Sequence, residues 1–244
     1  MKTRRSFRLG FWLAGWVLVG MVVAASAQNA HRQNTDPPQV HHLARAVDDH
    51  YNHLRSLESD FTETYCGDGA ERVESGTLRL KKPRKMRWEY RSPREKLFIS
   101  DGEEVWFYQP AERQLRKTAL RKLDDWRSPL AFLLGNSKLE NELQGLSKAV
   151  DQSPLYPANT VLRGVPRSVV RQNVVPQSGA GPVSEVLLEI TPSSQIVRIV
   201  LMEADGATTE FRFAGWKENL ELRDSQFQFT PPPGVETVEG EMGP

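Results

Sequence analysis

Apolar side chains at Val40, Leu43, Ala44, Val47, Tyr51 and Leu54 recur three and four residues apart, so on a helix they fall within about 100° of arc. The spacing predicts an amphipathic helix ending near Ser56. From residue 57 to 118 the period changes to two. Val73, Leu78 and Leu80, then Met86, Trp88 and Tyr90, alternate with polar or basic residues, as in strands with one apolar face. Asp101-Gly102 and Asp205-Gly206 each separate two such runs, the signal of a tight hairpin. Lys82-Pro83, Ser92-Pro93 and Gln109-Pro110 mark strand ends, where a proline removes no needed ladder donor. The segment reads as an antiparallel meander.

Residues 120–146 read as helical again, with Pro129 suited to a first turn and Leu130 to Leu134 an apolar run before Gly135. Residues 153–182 are punctuated by Pro and Gly and read as a connection. Strands follow at 185–190, 195–203 and 208–213, and Phe227 to Thr230 reads as a final short strand. About eleven strands and two or three helices, with no repeat and no interdomain linker, describe one curved sheet with helices on a single face. Trp88, Tyr90, Leu97, Ile99, Trp106 and Phe107 lie near the middle of that sheet. Alternation points Trp88 and Tyr90 to the apolar side and Arg87 and Glu89 to water. Periodicity alone does not separate a plain core from a cavity lidded by the helices.

The chain has 244 residues, 39% hydrophobic and 26% charged, the composition of a globular protein. Lys2, Arg4, Arg5 and Arg8, the apolar run 11–25 and Ala25-Ser26-Ala27 make an export signal with expected cleavage after Ala27. Thr3 to Phe7 also resembles a twin-arginine signal. Losing residues 1–27 moves the formal charge from +1 to −3, which argues against nonspecific nucleic-acid binding. Residues 28–39 read as a flexible tether, 40–238 as the folded domain and 239–244 as a disordered tail. One cysteine, Cys66, excludes an intramolecular disulfide.

Catalytic chemistry is hard to place. All five histidines lie between His31 and His53, upstream of the strands, which leaves a Ser or Cys nucleophile on the sheet without a base. No G-x-S-x-G, P-loop, Rossmann fingerprint or CxxC pair occurs. His42, Asp49 and His53 share one side of the first helix, but no further ligand set at metal spacing accompanies them. A solvated helix face accounts for them. No enzyme activity, cofactor or metal is expected.

Six strings stand in an order that resembles one family: Ser59-Asp60-Phe61-Thr62-Glu63-Thr64, Gly76 to Pro83, Arg87-Trp88-Glu89-Tyr90, Ser100-Asp101-Gly102, Val105 to Pro110 and Phe227 to Pro232. The order and spacing are similar to those of LolA, the periplasmic outer-membrane lipoprotein carrier family, from about Val40 to Val238. The resemblance implies an unclosed, strongly curved antiparallel barrel with a helical lid over a hydrophobic cavity for acyl chains. Trp88, Tyr90, Leu97, Ile99 and Met86 are then the expected cavity residues, although Met86 stands where an aromatic is common. Leu43 and Val47, with Leu130 and Leu133, are the expected lid. A basic residue before the strand-end proline helps fasten the lid in that family; the matching position here is Lys82 rather than Arg, and a lysine ammonium does not offer the planar bidentate clamp of a guanidinium.

The implied partners are acylated lipoproteins, an inner-membrane lipoprotein-releasing ABC transporter and an outer-membrane receptor, with the carrier itself a periplasmic monomer. The alternative of another class is a lipid-sensing regulatory module of the same fold, like the periplasmic regulator RseB. About 217 residues after cleavage leave no room for that regulator's second domain beside a complete barrel.

Overall fold

Helix α1, Pro37–His53, lays the stripe Val40, Ala44, Val47 and Tyr51 against one face of a long curved sheet. The computed structural model describes residues 37–120, 138–167 and 183–239. These belong to one compact unit, Thr35–Pro244. The expected signal segment, the first part of the tether, the lid residues Leu130 and Leu133, and residues 240–244 lie outside the described residues. α1 starts at Pro37, three residues inside the expected tether, with its prolines in the first turn where no N–H is needed.

Among the described residues twelve strands follow: β1 Ser56–Gly67, β2 Ala70–Lys81, β3 Lys85–Ser92, β4 Lys96–Ser100, β5 Glu104–Gln109, β6 Gln114–Ala119, β7 Leu143–Lys148, β8 Thr160–Pro166, β9 Val183–Ile190, β10 Ile196–Glu203, β11 Thr208–Glu218 and β12 Glu236–Glu239. A short helix α2, Leu139–Glu142, precedes β7. The sheet order is β12-β6-β5-β4-β3-β2-β1-β11-β10-β9-β8-β7, with two free edges, so the sheet is unclosed. Both Asp-Gly hairpins form where the sequence places them, between β4 and β5 and between β10 and β11. Close approach of β2 and β3 requires Gly76, where a Cβ would stand 1.9 Å from the Glu89 carbonyl oxygen.

Three expectations are corrected. Leu143 and Leu146 belong to strand β7, not to a helix. A register shift between Gln144 and Ser147, with Gly145 at φ +65°, lets residues three apart share one face of a strand, imitating helical spacing. β8 arises inside the stretch expected as a connection, because Val161 and Leu162 are buried on opposite faces of the sheet despite the surrounding prolines and glycines. The last correction concerns the C-terminus.

Phe227 to Thr230 is not a strand. Asp224–Phe227 forms a 3-10 helix, and the final strand β12 pairs with β6 in parallel, taking in Glu239 from the expected tail. β11 and β6 are separated in the sheet by β1 to β5. The chain must therefore cross the sheet to reach its far edge. This strap runs over the face opposite α1: Lys81 and Lys85 hold Asp224, Arg87 donates to the Gln226 carbonyl, and the Tyr108 and Phe229 rings lie 5.3 Å apart. Phe227 is fully buried beneath it. Also on that opposite face, buried Glu189 accepts from the Leu155 and Tyr156 N–H groups and from Asn159, and it faces Arg198 at 3.2 Å.

Candidate functional site

Cross-strand register assigns every side chain of β1 to β4 to a face. Leu78, Trp88 and Phe98 are successive partners across β2, β3 and β4, as are Leu80, Met86 and Ser100. Phe61 pairs with Phe213 of β11, and Glu63 with Phe211. All of these share the face on which α1 lies, and their apolar members join its stripe in one cluster. The aromatic rings meet edge to face: Phe61 with Trp88 at 4.7 Å, Phe61 with Tyr90 at 4.9 Å and Trp88 with Phe211 at 5.6 Å. The Trp88 indole N–H donates to the Met86 sulfur at 2.9 Å, so even this polar atom is satisfied within the apolar wall.

Met86, Trp88 and Tyr90 thus stand on the wall under α1. Leu97 and Ile99 do not. Leu97 is opposite Glu89 and Ile99 opposite Arg87, which puts both on the strap side of the sheet, with Trp106 and Tyr108 as their β5 partners. Ile99 is fully buried there. Phe98 takes the place on the wall that sequence reading assigned to its two neighbours. Leu97-Phe98-Ile99 is an unbroken apolar run, so alternation carries no phase information at this strand. Only the pairing of Phe98 with Trp88 supplies it.

α1 is seated by named contacts. Val47 is 1% exposed within the cluster, and Leu43 packs against its margin. Lys82 Nζ donates to the Tyr51 carbonyl oxygen at 2.6 Å, placing a cation where the last-turn carbonyls gather. Burial holds the Lys82 ammonium below the usual lysine range. Beside this contact a cleft of ≈ 10 Å³ is bordered by Tyr51, Leu80 and Lys82, room for about one water.

Other anchors of α1 escaped sequence reading. The Tyr51 hydroxyl accepts from the Ile196 N–H at 2.9 Å, and burial pushes that phenol well above its usual range. His50 Nε2 lies 3.0 Å from Glu218 Oε1. Asp48 accepts from the Leu139 N–H at 2.9 Å, and its carboxyl is raised by desolvation. His53 Nδ1 donates to the Asp49 carbonyl, a contact that uses one nitrogen of the His42, Asp49 and His53 group. These partners are 91 to 168 residues apart in the chain in the cases of Asp48, His50 and Tyr51, so no local pattern signals them.

A small charged group shares the margin of the aromatic wall: Glu63, with Glu74 opposite it on β2 and Lys96 opposite Tyr90 on β4. Glu63 Oε2 accepts from the Tyr90 hydroxyl at 2.7 Å. Burial raises the Glu63 carboxyl above the usual range, and the nearby Glu74 adds to the shift. Glu74 itself is paired with Lys96.

The arrangement is a curved aromatic wall with an amphipathic helix lying on it, held at its C-terminal end by a polar fastening. Residues 52–161 match the family described as Outer membrane lipoprotein carrier protein LolA. The chain is 29% identical over 188 residues to the Outer-membrane lipoprotein carrier protein of Nitrosospira multiformis, covering 75% of this chain and 82% of the relative. It is 30% identical to the protein of the same name from Chromobacterium violaceum, covering 77% and 82%. Among solved structures, an uncharacterized conserved protein from Thermus thermophilus shares the fold, with TM-score 0.51, 13% identity and coverage of 83% of this chain and 99% of that one. With the unclosed sheet, the helix on its aromatic face and these relatives in agreement, the chain belongs to the outer-membrane lipoprotein carrier protein (LolA) family.

Proposed function

We propose that this protein is a periplasmic carrier that binds the acyl chains of lipoproteins on the wall formed by Met86, Trp88, Tyr90 and Phe98, and that it has no catalytic role. The observation that carries the reading is the position of α1: its apolar stripe lies on the same wall an acyl chain would use. Burying a methylene is worth about 0.8 kcal/mol, so one enclosed acyl chain contributes on the order of 10 kcal/mol. A carrier with that affinity would not release its cargo. Displacing α1 re-exposes its stripe and part of the wall, and this cost is subtracted from the affinity and returned on release. Transfer then needs no energy source in the carrier. An ABC transporter at the inner membrane supplies the cargo and an outer-membrane receptor accepts it.

In this reading residues 1–27 are an export signal that is removed, and the cycle runs in the periplasm. Lys82 acts as the fastening that sets how readily α1 leaves. The experiment is mass spectrometry of the protein purified from periplasm, for bound acylated polypeptide, with Trp88→Asp alongside. Acylated polypeptide on the wild type and its loss from the variant is the expected result. Equal recovery from both overturns the assignment of the wall.

A further inference from the structure

Among the described residues two indoles, Trp88 and Trp216, line the wall, and only one of them has its N–H satisfied. Trp88 donates to the Met86 sulfur at 2.9 Å. Trp216 Nε1 is buried and meets no acceptor among the described residues. Its place on the wall comes from an irregularity in β11: Gly215 stands at φ +66° where the pairing with β1 shifts between Glu58 and Asp60, so Trp216 shares a face with Phe213, three residues back, and their rings lie 5.7 Å apart. The half-buried ring packs against the cluster that the α1 stripe completes. The polar side chains beside it are turned to other partners. Ser59, across the shifted pairing, donates to the Asp60 and Ala214 carbonyls, and Glu218, two residues on, accepts from Gln195 and faces His50 of α1 at 3.0 Å. The cleft beside Lys82 with room for about one water does not border Trp216. A buried indole N–H ordinarily finds a partner, since burial without one forfeits its hydrogen bond to water. The closed arrangement therefore holds an unmet donor within the surface that α1 shares with cargo.

Resting on the carrier reading, we infer that Trp216 binds the ester carbonyl at the head of an acyl chain, its indole N–H donating to that oxygen once α1 has left the wall. A single uncharged donor in apolar surroundings matches a neutral acceptor joined to a long apolar chain. An ester carbonyl is such a group, and it brings no N–H or O–H of its own that would then need a partner. On a lipoprotein the ester belongs to the glyceryl group of the lipidated cysteine; on a phospholipid it belongs to the glycerol backbone. The donor also biases the exchange between α1 and cargo. With α1 in place Nε1 is unpaired, and with an acyl ester in its place Nε1 is paired, so the hydrogen bond exists in the loaded state alone and adds wholly to the difference between the two states.

The test titrates the mature protein and Trp216→Phe with two pairs of ligands whose members differ in ester against ether linkage: an N-palmitoyl-S-(dipalmitoyl-glyceryl)-cysteinyl peptide against its S-(dihexadecyl-glyceryl) counterpart, and short-chain diester against diether phosphatidylglycerol. The amide-linked chain is common to both peptides and drops out of the comparison. One neutral hydrogen bond to an otherwise unpaired donor predicts that the wild type prefers the ester member of a pair by about three- to tenfold. Trp216→Phe keeps an aromatic ring and removes the N–H, so its ratio falls to within about twofold on the same basis, with a retained near-ultraviolet spectrum showing that the variant is folded. A Trp216-dependent preference in the peptide pair supports a lipoprotein ester as the ligand. The same preference confined to the lipid pair, with both peptides bound equally, supports the site with a phospholipid ester as the ligand. Equal binding of both members of both pairs by the wild type overturns the inference and leaves the carrier reading standing, even if the variant does not fold. A preference that persists in folded Trp216→Phe overturns it too. If the wild type binds neither peptide, the carrier reading falls and this site with it.

Discussion

Lys82 Nζ and the carbonyl oxygen of Tyr51 are 2.6 Å apart, joining the end of β2 to the last turn of α1 across 31 residues of sequence. The contact adds a second donor to a carbonyl that also accepts from the Leu54 N–H at 3.3 Å, and sets a positive charge at the helix's negative end. Lys82→Ala is expected to cost about 1–2 kcal/mol of stability, from a lost charge-assisted hydrogen bond at a half-buried site. It should also speed amide exchange at residues 47–53. Because it weakens the closed arrangement, the same variant should bind an acylated peptide more tightly and release it more slowly. Unchanged affinity with lowered stability would make Lys82 a structural residue only.

A lid residue and a core residue of similar burial should part company. Val47, 1% exposed, lies between α1 and the wall; Leu187, 3% exposed, packs on the opposite face with Ala149 and Val161. Leu187→Ala should cost about 2–5 kcal/mol and leave acyl affinity alone. Val47→Ala should cost about 1–3 kcal/mol and raise acyl affinity, because α1 competes with the acyl chain for the same surface. Urea unfolding and peptide titration on each variant check this pair. A rise in affinity for both would refute it.

The register predicts a sharp difference between adjacent residues of β4. Phe98→Ala should weaken acyl capture several-fold, since the lost ring area faces the wall. Ile99→Ala should lower the melting temperature without a comparable change in capture, because Ile99 is buried on the strap side. The reverse outcome would mean that the β3–β4 pairing is off by one residue.

The strap's attachment should be pH-dependent in a known direction. Hydrogen bonds from Lys81 and Lys85 hold the Asp224 carboxyl at about 2, below its ordinary 3.8. A depressed carboxylate contributes stability that is fully present above the unfolded value and lost as pH falls through the folded one. The stability gap between wild type and Asp224→Asn should therefore be constant above about pH 5 and shrink from there toward pH 2. Denaturant unfolding of both proteins across that range reads the gap. A gap that widens on acidification would show that Asp224 does not hold the strap as an anion.

Local pattern determined the pieces of this protein whose chemistry is local. The 3.6 period of α1, the alternation at Met86, Trp88 and Tyr90, and the two Asp-Gly turns each depend on residues a few positions apart, and all appear in the fold as read. The order of the quoted strings carried the family. What only tertiary structure decided is everything set by pairing. Leu97 and Ile99 went to the strap side because Phe98, inside an unbroken apolar run, took the register position opposite Trp88. Leu143 and Leu146 became a strand because a bulge at Gly145 turned a spacing of three into one face. Phe227 to Thr230 gave up the last strand to β12 because the chain had to cross the sheet to reach β6. Two anchors of α1, Tyr51 on Ile196 and His50 on Glu218, join residues more than 140 apart. Hydrogen-bond partners at that separation are chosen by how the sheet curves and where α1 lands on it, and neither is encoded in any window of residues short enough to show a period.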